Sequence, residues 1–369
     1  MRVLIVKTSS MGDVIHTLPA LTDAGNALPG ITFDWVVEEN FAEIPGWHPL
    51  VKKIIPIAWR RWRKKLFAAD TRAELMKFLK NLRAEKYDLI IDAQGLVKSS
   101  LCAMFARGER AGPDWKSARE SIASICYSRT VTVDFYQHAI VRMRTLLSAA
   151  LNYPLPTTTP DYGIDRKKLF GTENASLQPY LVFLHGTTWA TKHWPEQYWL
   201  ELTNIANQNG YEVKLPWGNE SEHERAQRIA SNAPNATVLP RQGLLGMAKI
   251  LAGARGVAAV DTGLGHLAAA LNVPAVSMYG PTDPKLTGAL GESQVHLCAQ
   301  FACAPCFSKV CTYEAGLPSG GNSEDVVSGK ASLSDGPTTG SLSPLYPVYP
   351  ACFGTLTPAL VWSSLRTLL

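Results

Sequence analysis

The stretch Lys7–Leu21, KTSSMGDVIHTLPAL, follows the apolar run RVLIV and sets Gly12 and Asp13 where a first strand passes into a first helix. Gly12 lets the backbone approach a ligand or take a positive φ. Asp13 has two uses. A carboxylate in a first helical turn satisfies free N–H groups. A carboxylate at the carboxyl end of a first strand, facing a cleft, can also take a proton from an attacking hydroxyl. Residue type alone leaves both open. His16, one turn on, can assist such a transfer or fill the core.

Two further turns carry phosphate-binding chemistry. In VDTGLGHLAAAL (Val260–Leu271) a strand ends at Asp261, and Thr262, Gly263, Gly265 and His266 open a helix. Its free N–H groups and dipole suit an anion. The spacing is neither G-x-G-x-x-G nor G-x-x-x-x-G-K-[ST], so the dinucleotide and P-loop fingerprints do not apply. A glycine turn capped by Asp261 is the alternative. In LHGTTWATKHWPEQYW (Leu184–Trp199), the hydroxyls of Thr187 and Thr188 and the Lys192 cation precede a helix near Pro195. Together they can clamp a diphosphate, or they belong to a tryptophan-rich structural loop. In LPWGNESEHERA, Glu220 or Glu222 can accept hydrogen bonds from a ribose diol, or both are merely solvated.

The segment KKIIPIAWRRWRKKLF (Lys52–Phe67) reads as seven positive charges with no acidic partner, interleaved with Trp59 and Trp62. That suits an anionic amphiphile or a membrane surface, and arginine forks suit carboxylates and phosphates. A solvated helix face is the plain alternative. A net charge of +5 over 369 residues, without a recognised binding fold, argues against nucleic acid. Arg119, Arg142 and Arg144 add further cations.

Seven cysteines and no export signal argue against a disulfide framework and for a cytosolic protein. Cys303, Cys306 and Cys311 follow C-x2-C-x4-C, and Cys352 could complete a tetrahedral metal site. The expectation is instead a loop packed by reduced thiols, because Cys352 is distant and no histidine lies within the cluster.

These residues must be positioned by something. RVLIV, TFDWVV, KKIIPI and YDLIIDA read as short strands, with helical spacing near Asp13–Leu28, Asp70–Glu85, Val97–Ala106 and Phe135–Leu151. A second alternation runs from YLVFLH to PAVSMYG. The pattern predicts an α/β protein of two doubly wound parallel-sheet domains, residues 1–155 and 156–315, with a cleft between them as the default site. Residues 316–348 are Gly-, Ser- and Pro-rich and read as a flexible insertion. Residues 349–369 end in a helical tail. No run of about 18 apolar residues suggests a spanning helix.

KTSSMGDVIHTLPAL, IDAQGLVKSSL, HGTTWATKHWPEQYW, VDTGLGHLAAAL and YGPTDP, in this order, resemble the bacterial lipopolysaccharide heptosyltransferases, closest to those that add the first inner-core heptose. The resemblance covers residues 1–315 and the CFGTLTPALVW tail. It implies a GT-B glycosyltransferase of two Rossmann-like domains, inverting, with ADP-heptose as donor and Kdo2-lipid A as acceptor. It implies work at the cytoplasmic face of the inner membrane as a peripheral protein, and no obligatory metal. By motif, Asp13 would be the general base. Thr187, Thr188, Lys192, Thr262 and Gly263 would hold the diphosphate and Glu222 the ribose, with Asp261 and His266 near the donor. Arg60, Arg61, Arg63, Lys64, Arg119 and Arg142 would grip acceptor carboxylates and phosphates. The tail would pack back on the first domain. Transfer of a later heptose, or sugar-nucleotide epimerisation on the same fold, are the alternatives.

Overall fold

The computed structural model describes residues 1–65, 68–171, 178–313 and 348–369. All but the last residue of the expected insertion therefore lies outside the described residues. Strands β1 (Arg2–Val6), β2 (Thr32–Glu38), β3 (Val51–Ile57), β4 (Lys86–Asp92), β5 (Arg107–Pro113) and β6 (Arg129–Val131) form a first sheet in the order β3-β2-β1-β4-β5-β6. Strands β7 (Tyr180–Leu184), β8 (Glu212–Leu215), β9 (Ala236–Val238), β10 (Gly256–Val260), β11 (Ala275–Tyr279) and β12 (Gln294–Cys298) form a second, ordered β12-β11-β10-β7-β8-β9. Every recorded pairing is parallel. Renumbered from its own first strand, the second sheet repeats the winding of the first.

The central strands are apolar along their length because helices cover both faces. Val3–Val6, Leu181–Phe183 and Val257–Val260 are fully buried. The helices of eight or more residues are α1 (Met11–Ala27), α2 (Ala69–Leu82), α3 (Val97–Phe105), α4 (Ala139–Leu151), α5 (Glu196–Gln208), α6 (Glu220–Ala230), α7 (Leu244–Gly253), α8 (Gly263–Ala270) and α9 (Pro358–Arg366). Helix α1 packs on α4 of its own domain and on α8 of the other. One apolar cluster accordingly runs from Ile5 and Leu18 through to Leu184 and Leu267.

This winding fixes where ligands bind. In each sheet the strand order reverses between the first strand and the fourth, and the crevice at their carboxyl ends is the binding position of such folds. Those strands are β1 and β4 in one domain, β7 and β10 in the other. All four sequence motifs singled out for donor or base chemistry follow β1, β7, β8 or β10.

One expectation is corrected here, and one cation is assigned. Helix α9 does not return to the first domain: it packs on α5, β10, β11 and β12, with Val361 and Leu365 buried in the second-domain core. Arg144 is a structural residue, buried and forked onto Asp23 at 2.5 and 3.1 Å with a further bond to the Thr158 carbonyl at 2.8 Å.

Candidate active site

In the first domain the loops after β1 and β4 are fastened by Gln94. Its Oε1 accepts from the Thr8 N–H at 2.6 Å and the Thr8 hydroxyl at 2.7 Å, and its amide donates to the Ser9 carbonyl at 2.8 Å. Asp13 lies just beyond, in the first turn of α1. Its Oδ2 accepts from the Ser10 N–H at 2.9 Å and the Ser10 hydroxyl at 2.7 Å, so it does cap the helix. Oδ1 stands 3.8 Å from Lys7 Nζ, and the side chain is one-third exposed. Burial alone would raise its pKa. The Lys7 cation and the Ser10 bonds outweigh that and hold the carboxyl below its ordinary range. Asp13 is thus an ionised, reachable carboxylate, able to cap and to accept a proton at once.

The cations around it were partly foreseen. Burial lowers the pKa of Lys7, Asp13 and Asp92 oppose this, and Arg142 and Arg119 add to it. Arg142 stacks on Phe135 with its guanidinium 4.9 Å from the ring centre, and its buried Nε has no hydrogen-bond partner. Arg119 is exposed, beside the loop after β4, where the Glu120 N–H donates to the Gly95 carbonyl at 2.9 Å.

The basic segment reaches the same end of the sheet through Glu38. The Glu38 N–H donates to the Thr8 carbonyl at 3.0 Å, and its carboxylate accepts from the Arg60 N–H at 2.9 Å. The expectation that this segment lacks acidic partners is overturned. Arg61 bridges Glu39 at 3.1 Å and Glu74 at 2.8 Å, and Trp62 is buried with its indole N–H on Glu74 at 2.7 Å. Glu74 comes from α2, more than ten residues away, so local sequence hid the pairing. Arg60, Arg63 and Lys64 are exposed.

In the second domain Asp261 fastens the loops after β7 and β10. Its carboxylate accepts from Lys192 Nζ at 2.6 Å and from the Thr282 hydroxyl at 2.7 Å, and its carbonyl accepts from the Thr187 hydroxyl at 3.1 Å. Lys192 Nζ also lies 4.5 Å from the Trp189 ring centre. Thr188 is exposed, and Thr262 stands at the N-cap position of α8, with no side-chain capping bond, before its first residue Gly263. Glu222, in the first turn of α6, accepts from the Gly218 N–H at 2.7 Å and lies against Gly186; a side-chain carbon there would come within 2.7 Å of its carboxyl carbon. Glu220 is exposed and reaches only His223, at 3.4 Å.

The halves meet at His266. His16 Nε2 and His266 Nδ1 are 3.1 Å apart. A side-chain carbon on Gly12 would stand 2.8 Å from the His266 ring, and one on Gly263 would stand 3.0 Å from Met11. Burial depresses the His266 pKa; Asp261 and Asp13 act against this, and Lys192 adds to it. One imidazole therefore lies in the field of the Asp13 carboxylate and of the Lys192–Asp261 pair. His138 accepts from the Ile140 N–H at its Nδ1 (3.1 Å), which leaves Nε2 to donate to the Gly288 carbonyl across the junction at 2.9 Å. Lys7, Gln94, Thr282 and His138 had no assigned role in the sequence. Lys7, Gln94 and Thr282 lay inside quoted motifs, which was the only signal.

Comparison with known proteins bears on this geometry. The model of glycosyltransferase family 9 (heptosyltransferase) matches residues 75–316. The chain is 58% identical to lipopolysaccharide heptosyltransferase 1 of Pseudomonas aeruginosa over 315 residues, covering 85% of this chain and 88% of that one. It is 52% identical to the enzyme of the same name from Escherichia coli K12, covering 80% and 92%. The solved structure of E. coli heptosyltransferase WaaC with ADP superposes with a TM-score of 0.78 at 51% identity, over 81% of this chain and 93% of that one. WaaC with ADP-2-deoxy-2-fluoro heptose gives 0.75 at 50% identity, over 80% and 93%. The fold is thus the two-domain GT-B fold expected from the sequence, and the chain belongs to glycosyltransferase family 9, the heptosyltransferases.

Proposed function

We propose that this heptosyltransferase of lipopolysaccharide core assembly moves heptose from ADP-heptose to Kdo2-lipid A with inversion, and that Asp13 is the general base. The observation that carries the reading is the seating of the His266 ring, five residues after the Asp261 that holds Lys192, against Gly12, the neighbour of Asp13. In this reading a base from one domain and a phosphate clamp from the other face each other across the domain junction, as an inverting displacement requires.

In this mechanism Asp13 takes the proton of the acceptor hydroxyl. The freed oxygen attacks the anomeric carbon as the bond to the β-phosphate oxygen breaks, and ADP leaves. Lys192, the hydroxyls of Thr187 and Thr188 and the N–H groups at Thr262 and Gly263 take up the charge that develops on the diphosphate. Asp261 sets the Lys192 ammonium, with Thr282 sharing the carboxylate. Glu222 holds the ribose diol. Names of the relatives support the donor: WaaC was solved with ADP and with a fluorinated ADP-heptose.

On the acceptor side, Arg142, with its orphan Nε, and Arg119 would bind the carboxylates of the two Kdo sugars. Arg60, Arg63 and Lys64 would meet the lipid phosphates at the cytoplasmic face of the inner membrane. Arg61, already forked by two glutamates, contributes least. No helix among the described residues is long and apolar enough to cross a membrane, so the attachment proposed is peripheral.

The test is ADP release with several nucleotide sugars, each with and without a Kdo-bearing lipid. Release that needs both ADP-heptose and that lipid supports the reading. Equal release without the lipid, or preference for another nucleotide sugar, overturns it.

A further inference from the structure

Four of the seven cysteines meet in one place. Cys303, Cys306 and Cys311 lie in the segment after β12, and Cys352 lies in the turn before α9. All four line a single cavity of about 20 Å³, closed on one side by Phe301 and Tyr313, whose ring centres are 4.8 Å apart. The distance along the chain that argued against Cys352 as a fourth partner is removed by the fold. None of the four is in a disulfide. No three His, Cys, Asp or Glu side chains among the described residues stand ready, as placed, to hold a metal ion.

Clustered thiols, with no carboxylate or imidazole lining the cavity, are the donor set of a soft tetrahedral ion. The cavity has room for one small ion and not for an organic ligand. We propose that Cys303, Cys306, Cys311 and Cys352 bind one zinc ion as a tetrathiolate, at a structural site separate from the transfer chemistry. On binding, each thiol gives its proton to solvent and its sulfur turns inward to about 2.3 Å from the metal. No redox step is involved.

The location says what the ion would do. The cysteine segment supports the donor clamp from behind. The Thr191 hydroxyl donates to the Ser308 carbonyl at 2.7 Å, next to Lys192. The Phe307 N–H donates to the Pro281 carbonyl at 2.7 Å, next to Thr282. Cys352 Sγ and Phe353 lie against Gly280, where a side-chain carbon would come within 3.0 and 2.9 Å of them. A zinc ion here fixes the segment that carries α9 to the loops that position Lys192 and Thr282.

The experiment uses the full chain, purified without chelator from zinc-supplemented cells and freed of any metal-binding tag. Elemental analysis should find one zinc per chain, and Cys352→Ser should lose it while Cys298→Ser keeps it. Cobalt(II) added to the chelated protein should produce the visible bands of tetrahedral thiolate coordination. If Cys352→Ser does not fold, alkylation of the unmodified protein decides: zinc should shield Cys303, Cys306, Cys311 and Cys352, and a chelator should expose them together. A protein that carries no metal and takes up no cobalt overturns the proposal. So does iron in place of zinc, or zinc retained in full by Cys352→Ser. None of these readouts depends on which sugar is transferred, so the metal site and the proposed reaction fail separately.

Discussion

His16 of the first domain and His266 of the second face each other at 3.1 Å, Nε2 to Nδ1. One ring must donate and the other accept, so at least one imidazole is neutral in each such contact. Burial depresses both, and His266 further disfavours a charge on His16. His138, close by, is pushed down to about 4 by burial. Unfolded histidines titrate near 6.5, so the unfolded chain binds more protons below that pH. Stability is therefore fully present above about pH 6.5 and lost as pH falls toward 4. Thermal melts over this range should show that decline, and His16→Gln should flatten it. An equally steep decline in His16→Gln would remove the pair from the explanation.

Asp13→Asn keeps the size and the helix start but removes the proton acceptor. Turnover should fall on the order of 100-fold or more, while calorimetry finds ADP bound as before. Because the Asp13 pKa is depressed, the acid limb of kcat should lie below the ordinary carboxylate range. Ser10→Ala removes one of the bonds responsible and should move that limb to higher pH.

Lys192→Ala removes a charged hydrogen bond from the clamp and leaves the Asp261 carboxylate with Thr282 alone. A charged hydrogen bond contributes about 1.5–3 kcal/mol, so donor KM should rise about 10- to 100-fold. Steady-state kinetics with ADP-heptose checks this. An unchanged donor KM would take Lys192 out of the clamp.

Gly12→Ala places a methyl group against the His266 ring. Overpacking of this kind costs about 1–3 kcal/mol, here charged to the meeting of the domains and not to either core. Turnover should drop while the melting of each domain hardly changes.

Arg142→Ala and Arg61→Ala should differ. Arg142 has a buried, unpartnered Nε near Asp13, whereas Arg61 is already held by Glu39 and Glu74. Acceptor KM should rise markedly for the first and little for the second. The reverse order would move the acceptor site away from Asp13.

The parts of the fold legible in sequence were those buried on both faces. Val3–Val6, Leu89–Ile91 and Val257–Val260 are continuous apolar runs because the sheet needs them so. Strand β5, RGERAGP, and strand β12, QVHLC, lack such runs. Pairing makes them strands: β5 is held between β4 and β6 with its first half partly exposed, and β12 is a part-exposed edge, so neither needs an apolar run. The site was legible where its residues cluster locally, as in KTSSMGD and VDTGLGH. It was illegible where contacts join distant segments. Gln94 reaches Thr8 across 86 positions, Thr282 reaches Asp261 across 21, and Arg61 reaches Glu74 across 13. Cys352 joined its partners only once α9 was seen to dock on the second domain.

That docking has a mechanical consequence. With α9 kept on the second domain, the described backbone passes between the lobes a single time, through the segment leading from α4 to β7. Among the described residues, each lobe holds its own sheet and the two share one tether. Opening would swing the lobes about that tether, opposed by side-chain contacts such as the His16–His266 pair. A nick in the tether would leave each lobe with its whole sheet, and the two fragments could rejoin through the His16–His266 seam.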